Sequence, residues 1–252
     1  MVGLALFKVS AFGDSGLRIQ FGETISPKTN QRIRSFAVLL EQEKLHGILE
    51  WIPTYTALSI VYDPYVISYA ELEQFVLDLK EKMTRINLPK ADVVHIPTCY
   101  GGDKGPDLAQ VADHNGLTEE EVVKIHSGTN YLIYMMGFTP GFPYLGGMSK
   151  KIATPRLTVP RPKIAPGSVG IAGEQTGIYS METPGGWQII GRTPLKLYDP
   201  DRDPPILLKA GNYVRFHPVS EEEYKDILET VRNGTFHPHV EPYREEEDGC
   251  AG

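Results

Sequence analysis

The chain has 252 residues, 41% hydrophobic and 23% charged, an ordinary globular composition with room for one large or two small domains. A formal net charge of −7, with no basic cluster longer than Lys150–Lys151, excludes the cationic face that a nucleic-acid binder needs. Two cysteines, Cys99 and Cys250, are too few for a disulfide framework, and no apolar run approaches a membrane span. Val2–Phe7 is too short for a signal-peptide core, so a cytoplasmic protein with free thiols is expected, Cys99 as a buried small residue and Cys250 in a solvated tail.

Taken in chain order, Leu6–Val9 and Leu17–Phe21 read as strands flanking the turn Phe12-Gly-Asp-Ser-Gly16. Ser26 and Pro27 make a helix start, an N-cap followed by proline at the first helical position. Ile33, Phe36, Ala37, Leu40 and Leu45 recur behind it at helical spacing, and Gly47 is the expected stop. Ile48–Ile52 and Leu58–Tyr62 follow as strands. Ser68 and Glu71 have capping-box spacing and open a helix with the stripe Leu72, Phe75, Val76, Leu79 and Met83. Val93–Thr98 is a further strand. The resulting order, β(β)αββαβ, is that of a ferredoxin-like split βαβ with helices on one sheet face.

A domain boundary is expected at Asn87–Asp92, where Pro89 separates the capped helix from the next strand. This gives domains at 1–90 and 91–235 and an acidic tail at 236–252. Gly105–Gly116 reads as a short helix with Pro106 in its first turn. Thr118 and Glu121 repeat the capping box ahead of Val122, Val123, Ile125 and His126. From Asn130 the pattern turns to short strands with turn signals, which predicts a small barrel. Ser220 and Glu223 open a last helix to about Val231.

The densest signal lies between Gly137 and Pro194, where 11 Gly and 8 Pro occupy 58 positions, against 25 and 20 in the whole chain. Large apolar residues are interleaved with them, among them Phe138, Phe142, Tyr144, Ile171, Tyr179 and Trp187. A disordered segment would not carry so much surface needing burial. The combination predicts a rigid, loop-rich β surface, the kind of place where binding sites lie.

Familiar catalytic patterns are absent. Gly101-Gly-Asp-Lys-Gly-Pro-Asp107 lacks phosphate-loop spacing, and Gly167-Ser168 lacks the nucleophile-elbow pattern. Gly13-Asp-Ser-Gly16 reads as a hairpin turn, His237-Pro-His239 has no metal-ligand partners in sequence, and His95 and His126 read as hydrogen-bonded structural residues. What remains are polar residues inside the Gly/Pro segment: Arg156, Arg161, Glu174, Gln175, Thr176, Glu182, Thr183 and Arg192. Arg forks and an amide beside exposed aromatics suit a small carboxylate, an amide or a peptide. The same residues also admit a structural reading in which Arg192 and Glu182 pair to join two strands.

Four runs in order carry a resemblance: IPTCYGG…GPDLAQVA, YMMGFTPGFPYLGGM, ATPRLTVPRPKIAPGSVGIAGEQTGIY and TPGGWQIIGRTPLKLYD. They resemble the carboxyltransferase-related family called allophanate hydrolase subunit 1, whose members include the B subunit of ATP-dependent 5-oxoprolinase and the sporulation-kinase inhibitor KipI. The resemblance runs from FGDSGL through RFHPVS. It implies an α+β fold with a ferredoxin-like N-terminal domain and a cyclophilin-like β-barrel C-terminal domain. It also implies a homologous second subunit of the allophanate hydrolase subunit 2 type, so that this chain supplies half of a composite site and turns over nothing alone.

For the enzymatic members the implied reaction is 5-oxoproline, ATP and water to L-glutamate, ADP and phosphate, with a third subunit and with ATP held in the assembled complex. No ATP site, metal site or catalytic base is identifiable in this chain. A lactam oxygen gathering charge needs preorganised donors, for which Arg161, Gln175, Thr176 and Arg192 are candidates. Phe138, Phe142 and Trp187 would form apolar walls, and Glu182 and Thr183 complete the expected substrate- or partner-binding set. Two other readings stay open: an inhibitor that binds a histidine kinase, and subunit 1 of an allophanate- or urea-metabolising complex.

Overall fold

The structure, a computed structural model, describes residues 7–83, 86 and 88–244, which fall into two compact units meeting in sequence at Pro89 and Lys90. Cys250 and the rest of the acidic tail beyond Arg244 lie outside the described residues.

In the first unit, β1 (Lys8–Ala11), β2 (Gly16–Gln20), β3 (Ile48–Pro53) and β4 (Ala57–Tyr62) form an antiparallel sheet in the order β1-β2-β4-β3. The Gly13-Asp-Ser-Gly16 segment is a hairpin turn, closed by the Phe12 N–H donating to the Gly16 carbonyl at 2.8 Å. β2 and β3 both run antiparallel to β4 and so are parallel to each other, joined by α1 (Pro27–Glu43). The helix begins where Ser26 Oγ accepts the Thr29 N–H, with Pro27 in its first turn. α2 (Tyr69–Lys82) starts at a complete Ser68–Glu71 capping box, whose bonds hold the Glu71 carboxyl below its ordinary range. Ile33, Phe36 and Leu40 of α1 and Leu72, Val76 and Leu79 of α2 pack on Leu17, Ile19, Leu58 and Ile60 of the sheet.

Two expectations for this unit are corrected. α1 stops at Lys44, not Gly47. Lys44 takes a left-handed conformation (φ 47°) with its N–H on the Leu40 carbonyl, and Gly47 (φ 101°) then turns the chain into β3. The strand following α2 does not complete this sheet, because β1 already holds the edge beside β2. That strand, β5 (Asp92–Tyr100), belongs to the second unit.

The second unit contains α3 (Leu108–Asn115), α4 (Glu119–Ser127), β6 (Asn130–Met136), β7 (Pro143–Gly146), β8 (Arg161–Ile164), β9 (Ser168–Ala172), β10 (Gln175–Ile178), β11 (Thr183–Gly185), β12 (Gln188–Arg192), β13 (Tyr213–Pro218), α5 (Glu221–Arg232) and β14 (Val240–Pro242). The main sheet runs β10-β9-β12-β5-β13-β6-β7, with β14 also on β5, and β10 lies beside β7, so the sheet nearly closes into a barrel. β8 and β11 form a separate two-stranded ribbon. β5 is largely buried because it runs through the middle, parallel to β13 and antiparallel to β12. Ile96, Tyr131, Ile133, Val169, Ile171, Val214 and Phe216 fill the interior.

α3 is shorter than its sequence suggests. Gly105 and Pro106 lie on β12 before the helix begins: the Gly101 N–H donates to the Ile190 carbonyl at 3.0 Å and the Asp107 N–H to the Ile189 carbonyl at 2.9 Å. A Cβ on Gly105 would overlap the Ile190 carbonyl, so this approach requires glycine. α4 and α5 keep the capping boxes at Thr118–Glu121 and Ser220–Glu223, and Gly116 ends α3 at φ 65°.

His126 is fully buried and belongs to this interior. Thr176 Oγ1 donates to the Gly170 carbonyl, so it accepts from His126 Nε2 at 2.8 Å, which leaves His126 Nδ1 to accept the Tyr100 hydroxyl at 2.7 Å. Burial lowers the His126 pKa to about 3 and pushes the Tyr100 hydroxyl well up, so both stay neutral and the chain of bonds is complete. Cys99 is buried and free, its thiol pushed up by desolvation. Among the described residues no helix is long and apolar enough to cross a membrane.

Candidate functional site

The Gly/Pro-rich segment wraps one pocket of about 360 Å³ on the second unit. Its floor is aromatic. The Phe142 ring lies 6.0 Å from that of Trp187 and 6.0 Å from that of Tyr179, both edge-on, and 5.3 Å from that of Tyr144. Edge-to-face contacts at this spacing fix the rings against one another. Tyr179 and Trp187 also cluster with Ile164 and Ile189, a small apolar support beneath the floor.

Two glycines allow this packing. A Cβ on Gly177 would come within 3.1 Å of Trp187 Cζ3 and 3.3 Å of Phe142 Cζ, so a larger residue there would lift the floor. A Cβ on Gly185 would meet the Tyr179 hydroxyl and come within 2.8 Å of Ile164 Cδ1, so glycine lets the β8–β11 ribbon close over the pocket's side. The Tyr179 phenol is pushed up by burial, a shift opposed by its bond to the Trp187 backbone and by Arg156 and Arg161 nearby.

At the mouth stands Phe138, 67% exposed with φ 66°. An aromatic residue in the left-handed region is strained, and an exposed one gains no burial in exchange. Its ring meets Phe142 at 5.6 Å, and the loop is tied down where the Thr139 and Ser180 hydroxyls lie 3.1 Å apart. Arg156 and Gln175 add a guanidinium and an amide to the lining.

Of the residues singled out in sequence, Phe138, Phe142, Gln175 and Trp187 line this pocket together. Thr183 sits on β11 beside it, half-buried, its hydroxyl 3.3 Å from the Pro184 carbonyl. The rest are placed elsewhere. Arg161 is paired with the buried carboxylate of Asp107, Nη2 to Oδ1 2.6 Å, across 54 residues of sequence. The other oxygen of Asp107 accepts the Ile189 N–H at 2.6 Å. Thr176 points into the interior on His126, because successive residues of β10 face opposite sides and Gln175 takes the pocket side. Arg192 donates to the Pro166 carbonyl at 2.9 Å, and Glu182 pairs with Lys163 at 3.0 Å, so the Arg192–Glu182 pair is not formed. Arg161, Thr176 and Arg192 therefore hold structure and do not face the pocket.

Arg156, Tyr144 and Tyr179 complete the lining and lie outside the expected set. Arg156 is one of the polar residues of the segment, but nothing in its spacing separates it from the others. A second cleft, of about 450 Å³, is lined by His95, His217 and His239 with Glu223 and Asp226. His95 Nε2 is 2.8 Å from Glu241 Oε1 and its ring is 4.6 Å from that of His239. No group of three His, Cys or carboxylate residues among the described residues could hold a metal ion.

The family described as carboxyltransferase domain, subdomain C and D, matches residues 7–208. The chain is 45% identical over 229 residues to a protein named as the 5-oxoprolinase B subunit of Bacillus subtilis (strain 168), covering 86% of this chain and 95% of that one. A protein of the same name from Escherichia coli O157:H7 is 39% identical over 215 residues, 83% of this chain and 94% of that one. Among solved structures, the K. lactis urea amidolyase matches 94% of this chain and 16% of its own length with a TM-score of 0.75, a likeness of fold at 23% identity.

Proposed function

The chain belongs to the carboxyltransferase domain, subdomain C and D, family, and from that premise we propose that it serves as the B subunit of an ATP-dependent 5-oxoprolinase. The observation that carries this reading is the 45% identity to a named 5-oxoprolinase B subunit over 95% of that protein's length. The pocket supports it: an aromatic floor with one guanidinium and one amide at its edge suits a small cyclic acid better than a polymer. The urea amidolyase likeness, at 23% identity, speaks to fold and does not favour urea chemistry.

In this reading the first unit is a ferredoxin-like split βαβ whose outer strand comes from the N-terminal side as β1, and the second is a cyclophilin-like barrel. The reaction is 5-oxoproline, ATP and water to L-glutamate, ADP and phosphate. This chain's part is to bind and orient the lactam against the aromatic floor and to exclude water from one face. A homologous second subunit supplies the facing half of the site, and ATP is held in the assembly with a third subunit. The chain offers neither a phosphate loop in sequence nor, among the described residues, a nucleophile–base pair at the pocket, so it is inactive alone.

The test is ADP release in the presence and absence of 5-oxoproline. The purified chain is expected to show no dependence on 5-oxoproline, and the mixture of all three subunits a clear one. Strong 5-oxoproline-dependent hydrolysis by the chain alone would overturn the composite site. An assembled but inactive mixture, with tight binding of the chain to a histidine kinase, would replace the enzyme reading with the inhibitor reading.

A further inference from the structure

Resting on that reading of the pocket, we propose that Arg156 determines its specificity by holding the substrate's carboxylate, while Phe138 packs over the ring that carries it. Of the other cations in the Gly/Pro-rich segment, four are engaged: Arg161 with Asp107, Lys163 with Glu182, Lys150 with Glu174, and Arg192 with the Pro166 carbonyl. Arg156 takes part in no ion pair among the described residues.

Its backbone is nevertheless fixed on both sides. The Pro155 carbonyl accepts from Gln188 Nε2 at 2.9 Å, the Leu157 N–H donates to the Gly186 carbonyl at 2.7 Å, and Thr154 bridges to Gly173. The side chain itself is exposed, so a guanidinium rooted on fixed backbone at the edge of an aromatic floor, with no carboxylate partner of its own, is available to one that arrives with a ligand.

A carboxylate fits better than a phosphate. The lining has a single cation and no lysine, and no helix N-terminus borders it, whereas a doubly charged group is commonly met by several donors. Phe138 points to the same opening. Its strained backbone and exposed ring make sense when the ring has something to touch. The cavity, about 360 Å³, is larger than a five-membered lactam acid, which leaves room for an activating group or a partner side chain.

The experiment uses the three-subunit enzyme. Arg156→Gln is expected to raise the KM for 5-oxoproline roughly 10- to 100-fold, the loss of a charged hydrogen-bond pair, with the KM for ATP unchanged. Arg156→Lys restores part of that loss. Competition by 2-pyrrolidinone, the same ring without its carboxylate, is weak and equal for wild type and Arg156→Gln. Phe138→Gly raises both the KM and the unfolding temperature, because glycine relieves the strain; Phe138→Ala raises the KM without the gain in stability. An unchanged KM for 5-oxoproline in an active Arg156→Gln enzyme overturns the inference and leaves the proposed function standing. A rise confined to the KM for ATP assigns Arg156 to a nucleotide phosphate and also overturns it. If the wild-type mixture is inactive, the function fails and the pocket is judged by NMR on the full chain. A shift of the Trp187 indole with 5-oxoproline but not 2-pyrrolidinone, lost in Arg156→Gln, supports the inference, and no shift overturns it.

Discussion

Replacing Asp107 with alanine is expected to destabilise the second unit by about 3–5 kcal/mol, read as a lower urea midpoint at unchanged slope. Asp107 is buried and serves two donors, the Arg161 guanidinium and the Ile189 N–H, each at 2.6 Å. Alanine strands both: a positive charge only 31% exposed and a backbone N–H in the middle of the sheet. Arg161→Ala should cost less, about 1–3 kcal/mol, because the carboxylate keeps the Ile189 N–H. The double variant should fall well short of the sum, since each change removes the same pair. A loss below about 1 kcal/mol for Asp107→Ala would mean that the pair contributes little and would return Arg161 to the set of residues available for chemistry.

Acid should unfold the protein through His126 before the carboxylates dominate. In the folded state its pKa is lowered to about 3 by burial, whereas the unfolded chain titrates near the ordinary value of 6.5. The unfolded state therefore takes up the proton first. Stability is intact above pH 6.5, declines as pH falls below it, and stops declining from this source below about pH 3. The full effect is roughly 5 kcal/mol, with about 3 kcal/mol reached by pH 4.5. Because protonation would also place a second N–H against the Tyr100 hydroxyl, that hydroxyl would have to turn from donor to acceptor. His126→Gln keeps hydrogen-bonding capacity without titrating, so its stability should change less between about pH 7 and 4.5, even where it starts lower. Parallel pH profiles for wild type and variant would show that His126 is not the acid-sensitive group.

Much of the local structure is legible in the sequence because its causes are local. Ser68 with Glu71, Thr118 with Glu121 and Ser220 with Glu223 are helix starts whose donors and acceptors lie three residues apart, and all three form. Phe138, Phe142, Gln175 and Trp187 can be grouped because aromatics embedded among Gly and Pro need a rigid surface, and they do share one pocket. What is not legible depends on distant partners. Asp107 stands at the N-cap of α3, and only its meeting with Arg161, 54 residues on, shows why its side chain makes no cap bond. Gln175 and Thr176 cannot both face a ligand from one strand, but which of them does is set by the register of β10 against β9. The strand at Asp92–Tyr100 follows α2 as a split βαβ requires, yet β1 occupies the edge it would have filled, a fact of topology and not of pattern. Arg156 becomes distinct from its neighbours only when their partners are known.

If this pocket is the working surface of the chain, the effect of losing it is concentrated at Trp187. Its ring is part of the floor and is partly exposed, so Trp187→Leu keeps apolar bulk while removing the flat face. The measurement is kcat/KM for 5-oxoproline in the assembled three-subunit enzyme, alongside the unfolding midpoint of the chain. A fall of about tenfold or more is expected, worth roughly 1.4 kcal/mol of transition-state binding, in a chain that still folds cooperatively and assembles normally. An unchanged kcat/KM in a properly assembled Trp187→Leu enzyme would contradict it.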